Sequence, residues 1–423
     1  MNPTNDDELI KLILEIREKA NQGDSEAQYA LGLRLSMGDG IMKDEVEAAK
    51  WFQRAAEQGH SEAQWKLGNI LQYGIGIKVD MTEAFHWLKK ASEQGNAQAQ
   101  YRLGYLYYCG IGTERDIKEA VKCFQDAAMQ GYSLAQFQFG IVLKKGIGVE
   151  KNECEAEKWL RRAADQGHLD SQVMLGNMYG TGDSVRLDHT EAFKWFKKAA
   201  NQGDLHSQTM LGMMFRNGIG IEKDEAQAIS WYAKAADQGH APAQRILGCF
   251  LMEGIGIEKD EAEAVKWFKK AAEQGNVDGQ RCLGSAYYAG AGVRQDYIEA
   301  LNWFKKAIEQ GDLHSQTMLG VMLMEGDGVK EDKAEGLKRI REAAEQGYET
   351  AQEILAKYEK KGYSSYIFHL YLIGWIITFI WLVFFNGANY NWWNWIVLIP
   401  IDGFLAGIWP LYWLIIRWLP TPF

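Results

Sequence analysis

The chain is short of cysteine, and the few it has are not arranged for bonding or for metal. Cys109, Cys123, Cys154, Cys249 and Cys282 are odd in number and lie at unrelated places. No CxxC occurs, which excludes a zinc framework and a ladder of disulfides. Buried, reduced thiols in a reducing compartment are expected. Positive charge is also scarce: the formal net charge is −10. From Ser364 onward the only formal charges are Asp402 and Arg417, which cancel, so the excess belongs to the residues before them. An acidic body excludes a nucleic-acid groove. Met1 to Ile10 is polar and holds no apolar run, so no signal peptide is expected. HExxH, GxSxG and P-loop motifs are missing. The histidines are scattered. His60, His168 and His240 follow a repeated Gly as helix-start positions, and His206 and His314 lie in identical DLHSQTMLG stretches. The expectation is a chain that is not an enzyme and has no catalytic, cofactor or metal site.

What is present is a period. A Gln-Gly pair recurs with its Gly at 23, 59, 95, 131, 167, 203, 239, 275, 311 and 347, always 36 residues apart. Each unit reads as two helices. The first holds Leu31, Leu67, Leu103, Phe139, Leu175, Leu211, Leu247, Leu283 and Leu319 in one register, each followed by Gly. Gly within a helix costs ~1 kcal/mol against Ala, so its recurrence predicts close helix approach. A glycine turn follows, as in Gly74-Ile75-Gly76, supplying the freedom of a sharp reversal. It recurs with no preceding strand, which argues against a phosphate loop. Asp44, Asp80, Asp116, Asn152, Asp188, Asp224, Asp260, Asp296 and Asp332 then stand at the next N-cap, with Glu or Gln three residues on. That spacing predicts a capping box. The second helix is expected to bury Trp51, Trp87, Trp159, Trp195, Trp231, Trp267 and Trp303 beside small residues such as Ala55 and Ala91, and to end at the repeated Gly in an αL cap.

This unit resembles the Sel-1-like repeat (SLR) family, a relative of the tetratricopeptide repeat, over roughly Asn21 to Lys361. Two units depart from the pattern. Ser184 replaces a turn glycine, and Gly336 and Arg339 stand where Ala and Trp are usual. The resemblance implies an all-α, right-handed α-solenoid of helix-turn-helix repeats that serves as a protein-interaction scaffold and rarely as an enzyme. A β-lactamase-like hydrolase, claimed for some relatives with disulfide-bonded repeats, is disfavoured by the missing Cys pattern.

The expected domains are an N-terminal capping helix region at 1–20, the solenoid at 21–361 (nine repeats plus a terminal half repeat), and a two-helix transmembrane hairpin at 364–423. Tyr366 to Phe385 and Trp395 to Ile416 are apolar and each near the ~20 residues that span a bilayer. Trp392, Trp393, Trp395, Trp413 and Trp418 would form an interfacial belt. Lys357, Lys360, Lys361 and Arg417 flank the spans and the connector is uncharged, so the positive-inside rule places the repeats and both termini in the cytoplasm, on an inner membrane. Asp402 costs ~2.5–3.5 kcal/mol within a span. It lies beside a GxxxG formed by Gly403 and Gly407 and level with Thr378 to Trp381 rather than His369. Two readings stand together: an oligomer contact or polar site in the membrane, and a hydrogen-bonded, protonated carboxyl.

The surface to which a partner would bind is the exposed stripe of the first helices. Early units place aromatics there: Trp65, Tyr73, Tyr101, Tyr105, Tyr108 and Phe137. Later units place Met174, Met210, Met213, Met252, Met318 and Met324. Aromatics anchor interfaces and methionines adapt to varied partners. The competing reading is packing between neighbouring helices. The function expected is a membrane-anchored adaptor with a protein or peptide partner, membrane lipids at the hairpin, and a homo-oligomer as one option. The alternative is a sensor solenoid controlling a membrane-acting toxin or phage-defence hairpin.

Overall fold

The chain's punctuation becomes its architecture. The computed structural model describes residues 3–358. The hairpin expected at 364–423, with Asp402, Gly403 and Gly407, lies outside the described residues. Among the described residues no helix is long and apolar enough to cross a membrane. A leading helix α1 (Pro3–Asn21) precedes the pairs α2 (Ser25–Met37) and α3 (Glu45–Glu57), α4 (Ser61–Tyr73) and α5 (Met81–Glu93), α6 (Ala97–Cys109) and α7 (Ile117–Met129). The pairs α8 (Ser133–Lys145) and α9 (Glu153–Asp165), α10 (Leu169–Thr181) and α11 (His189–Asn201), α12 (Leu205–Asn217) and α13 (Glu225–Asp237) follow, then α14 (Ala241–Glu253). These belong to a compact unit that reaches to Lys259. A second unit, from Asp260, holds α15 (Glu261–Glu273), α16 (Val277–Ala289), α17 (Tyr297–Glu309), α18 (Leu313–Glu325) and α19 (Lys333–Glu345). Within each unit, substantial packing joins helices consecutive in the chain. Stability in such an array comes from repeats and nearest-neighbour interfaces.

Each helix terminus is made as the repeat directs, with one correction. The first helix ends at an αL glycine: Gly38 sits at φ 74 and its N–H reaches the Arg34 carbonyl. The second helix starts at the aspartate, whose Asp44 carboxylate accepts from the Glu47 N–H at 2.8 Å. The reciprocal half of the expected capping box is not made. The Asp44 N–H instead donates to the Leu35 carbonyl at 3.0 Å, tying the two helices of the repeat together. Glu47 and Glu83 are left to accept from the indole N–H of Trp51 and Trp87 at 3.2 and 3.3 Å. The second helix ends in a Schellman turn. Gly59 is at φ 91, its N–H meets the Ala56 carbonyl, and the His60 N–H meets the Ala55 carbonyl.

The recurring helix glycine has a specific occupant above it. It faces the residue after the Trp position: Gly32 meets Phe52, Gly68 Leu88, Gly104 Phe124, Gly140 Leu160, Gly176 Phe196 and Gly212 Tyr232. Gly284 meets Phe304 and Gly320 meets Ile340 in the second unit. These partners, not the tryptophans, are the deepest side chains, and Trp231 and Trp303 are only partly buried. The tryptophans lie at the rim of the core, each under a cation three residues on, as Lys270 lies 3.7 Å from the Trp267 ring and Lys198 3.9 Å from Trp195. Where Trp is replaced the cation goes too: Cys123 precedes Asp126 and Arg339 precedes Glu342.

A buried polar ladder runs beside this core. Gln64 Nε2 donates to the Ala56 carbonyl at 3.1 Å and its Oε1 accepts from Gln94 Nε2 at 2.8 Å. The same pair of bonds recurs at Gln28, Gln136, Gln172 and Gln208. Each rung gives the buried amide its partners and adds a second donor to a carbonyl that already closes the preceding turn, as Ala56 accepts from the Gly59 N–H. The cysteines correct an expectation: all are free, but only Cys123 is buried, while Cys109 and Cys154 are exposed.

Candidate protein-interaction surface

The candidate stripe resolves into three kinds of position. The fifth residue of each first helix packs onto the start of the next repeat. Tyr101 meets Tyr132 edge-on at 5.5 Å, and Phe137 meets His168 at 4.8 Å. Trp65, Tyr101 and Phe137 are therefore half-buried joints between repeats. Trp65 packs beside Leu88 and Leu106, and Tyr108 beside the Phe124 cluster. Met174, Met210, Met213 and Met318 are partly buried against their own repeats' cores, and Met252 is half-buried. Met324 does not lie on the stripe: it is 6% exposed, among Ile340, Ala343 and Ala344. Gly336 is the cause, because a Cβ there would stand 2.6 Å from Met324 Cγ. The missing methyl opens the slot that the methionine fills.

Tyr73 and Tyr105 remain as the solvent-facing aromatics, 54% and 44% exposed. They are held rather than free. The Arg102 guanidinium donates to the Tyr73 hydroxyl at 2.9 Å and lies 5.7 Å from its ring. A hydrogen bond shared with Cys109 pushes the Tyr105 hydroxyl's pKa up, and burial does the same for Tyr101. The two rings thus stand on a surface formed by α4 and α6, with the Arg102 guanidinium fixed against Tyr73. Such a surface offers aromatic area at low entropic cost.

Arg102 was not legible as part of this group, because its bond to Tyr73 crosses from one repeat to the next. The last residue of successive first helices reads Met37, Tyr73, Cys109, Lys145, Thr181 and Asn217, and all are exposed. Reading that column alone, rather than aromatics wherever they fall, picks out the rim. Among the described residues no group of three or more His, Cys, Asp or Glu is placed to hold a metal.

The Sel1 repeat model matches nine consecutive stretches, 25–60, 61–96, 97–132, 133–168, 169–204, 205–240, 241–276, 277–312 and 313–348. The chain belongs to the Sel1 repeat family. This Sel1 repeat protein is similar to c5321, a protective antigen of uropathogenic Escherichia coli with an SLR fold. The two share 34% identity over 83% of each chain, with a TM-score of 0.71. It is also similar to a Sel1 repeat protein from Oxalobacter formigenes, at 31% identity over 74% of this chain and 92% of that one, with a TM-score of 0.57. No curated protein matches the Sel1 repeat chain. The all-α solenoid of helix pairs, and the repeat family that its units resemble, are therefore established.

Proposed function

We propose that the chain is a non-catalytic interaction scaffold whose first-helix face binds a protein or peptide, and that its C-terminal apolar segments hold it at a membrane as an adaptor. The observation that carries the first part is the Tyr73–Arg102–Tyr105 group. Its two rings are exposed and its cation is fixed, in a frame whose other stripe aromatics are half-buried. Support for the second is the sequence pattern alone: two charge-poor segments of span length with basic flanks. Contact with lipid and self-association through Gly403 and Gly407 belong to the same proposal.

The experiment is a crosslinking pull-down from membranes with the full chain and with Tyr73→Ala/Tyr105→Ala. Both must first give the same helical content and membrane fraction. Loss of a partner in the variant supports the surface. Recovery of the same partners by both proteins removes this face as the site, and recovery of the chain from the soluble fraction removes the anchor.

A further inference from the structure

A cleft of about 490 Å³ opens between the first helices of two successive repeats, α8 and α10. Its floor is apolar, made by Phe137 and Ile141 on one side and Val173, Met174 and Met178 on the other. Its rim is charged. Lys144 is paired with Asp183 at 2.6 Å and Lys151 with Glu153 at 2.5 Å. Lys145, at the end of α8, and Asp170, in the first turn of α10, also line it; both are exposed, and neither is in an ion pair among the described residues. The helices run parallel, so the unpaired charges of opposite sign stand toward opposite ends of the apolar floor. About eleven residues of helix rise separate the ends, roughly 16 Å. An extended strand covers that span in about five residues.

A second observation falls on the same cleft. Ser184 lines it, and it is the one non-glycine residue at positive φ among the described residues, at φ 70. The corresponding turn positions, such as Gly76, Gly112, Gly148 and Gly220, keep glycine. The strained conformation is thus retained at one turn, the turn that walls the cleft. Strain of this kind collects at binding sites.

We propose that this cleft takes an extended segment of a partner protein: about five residues, apolar at the centre, with an acidic side chain toward Lys145 and a basic one toward Asp170. The inference rests on the scaffold reading and assigns that scaffold a ligand class. The apolar residues seat on Met174 and Phe137, and the free charges fix direction along the helices. Charge complementarity selects the occupant, because the remaining rim charges are already neutralised by each other.

The test pans a phage-displayed random heptapeptide library against the full chain in detergent and against its Lys145→Glu variant. The wild type is expected to enrich apolar cores with Asp or Glu at one end, and the variant to replace that residue with Lys or Arg. Peptides selected by the wild type should bind Met174→Glu at least about tenfold more weakly, read by fluorescence anisotropy. Selection of the same peptides by wild type and Lys145→Glu overturns the cleft. Peptides lost in Tyr73→Ala/Tyr105→Ala but indifferent to Lys145→Glu and Met174→Glu overturn the cleft and leave the scaffold reading standing. No enrichment by the wild type overturns both.

Discussion

Gly32 lies so close beneath Phe52 that a Cβ on it would stand 2.8 Å from the ring's Cε1. The ring is 1% exposed and packed on all sides, so it has nowhere to retreat. Helix propensity and packing therefore oppose each other in Gly32→Ala. Propensity favours alanine by ~1 kcal/mol, whereas overpacking costs ~1–3 kcal/mol. We expect packing to win and the variant to be destabilised by about 1 kcal/mol. Gly180 is the control, a helical glycine whose Cβ would meet nothing nearer than 3.8 Å. Gly180→Ala should gain up to ~1 kcal/mol. Urea unfolding midpoints measure both, and a stabilised Gly32→Ala would show that the ring is free to shift.

The glutamine ladder makes a second contrast. Gln64 is 4% exposed and ties the Ala56 carbonyl to Gln94. Gln64→Leu keeps the volume but removes both bonds, each worth ~0.5–1.5 kcal/mol net, for a cost of ~1–3 kcal/mol. Gln316 holds the same place in the last repeat, yet it reaches only the Arg339 carbonyl at 3.3 Å and the Glu342 carboxylate at 3.2 Å. Gln316→Leu should cost less than half as much in the same denaturation experiment. Equal losses would mean that volume, not the ladder, governs the position.

These two glutamines and two glycines mark how far the sequence could be read. The period and the cap residues gave the helix pairs, because Gly at αL and Asp at an N-cap act through bonds within a few residues. Glu47 was misread because the N–H it was expected to serve finds the Leu35 carbonyl across the repeat, a tertiary contact that spacing does not show. Trp51 was expected to be buried, and it is, at 6% exposed. One residue later on the helix, about 100° round, Phe52 faces the glycine and is buried more deeply. On the stripe, Tyr73 and Tyr105 were legible as exposed. Packing between helices was offered for the stripe as a whole, and Tyr101 and Phe137 could not be singled out for it, since that depends on what the next repeat places opposite them.

Acid should loosen the fifth repeat. His168 caps α10: its Nδ1 accepts from the Ser171 N–H at 3.2 Å, which only an unprotonated nitrogen can do. Burial holds its pKa below the ordinary histidine value, with the Asp170 carboxylate pulling weakly the other way. The unfolded chain therefore takes up the proton first as pH falls. The stabilisation is complete above the unfolded value of about 6.5 and is lost as pH falls through it to the lowered folded value. His168→Asn keeps a capping acceptor without the titration. Urea midpoints at pH 7.5 and pH 5 should differ more for the wild type than for this variant. Equal pH dependence in the two would remove His168 as the source.

Ser184 should be dispensable for folding and costly to keep. Its backbone is left-handed, a conformation that disfavours a side chain by roughly 1–2 kcal/mol. Its hydroxyl recovers little, since the bond to Asp183 Oδ1 is 3.2 Å long and exposed to water. Ser184→Gly restores the residue found at Gly148 and Gly220 and should stabilise the chain by about 1 kcal/mol. Glycine's larger unfolded-state entropy offsets part of the relief. Gly148→Ser is the converse, placing a side chain at φ 70 where Ile117 Cγ2 would lie 2.5 Å from its Cβ, and should destabilise by more than Ser184→Gly gains. Thermal or urea unfolding of the pair reads the sign directly. A Ser184→Gly protein no more stable than the wild type would mean that the turn around Ser184 has relaxed to accommodate it, and that the strain does not exist.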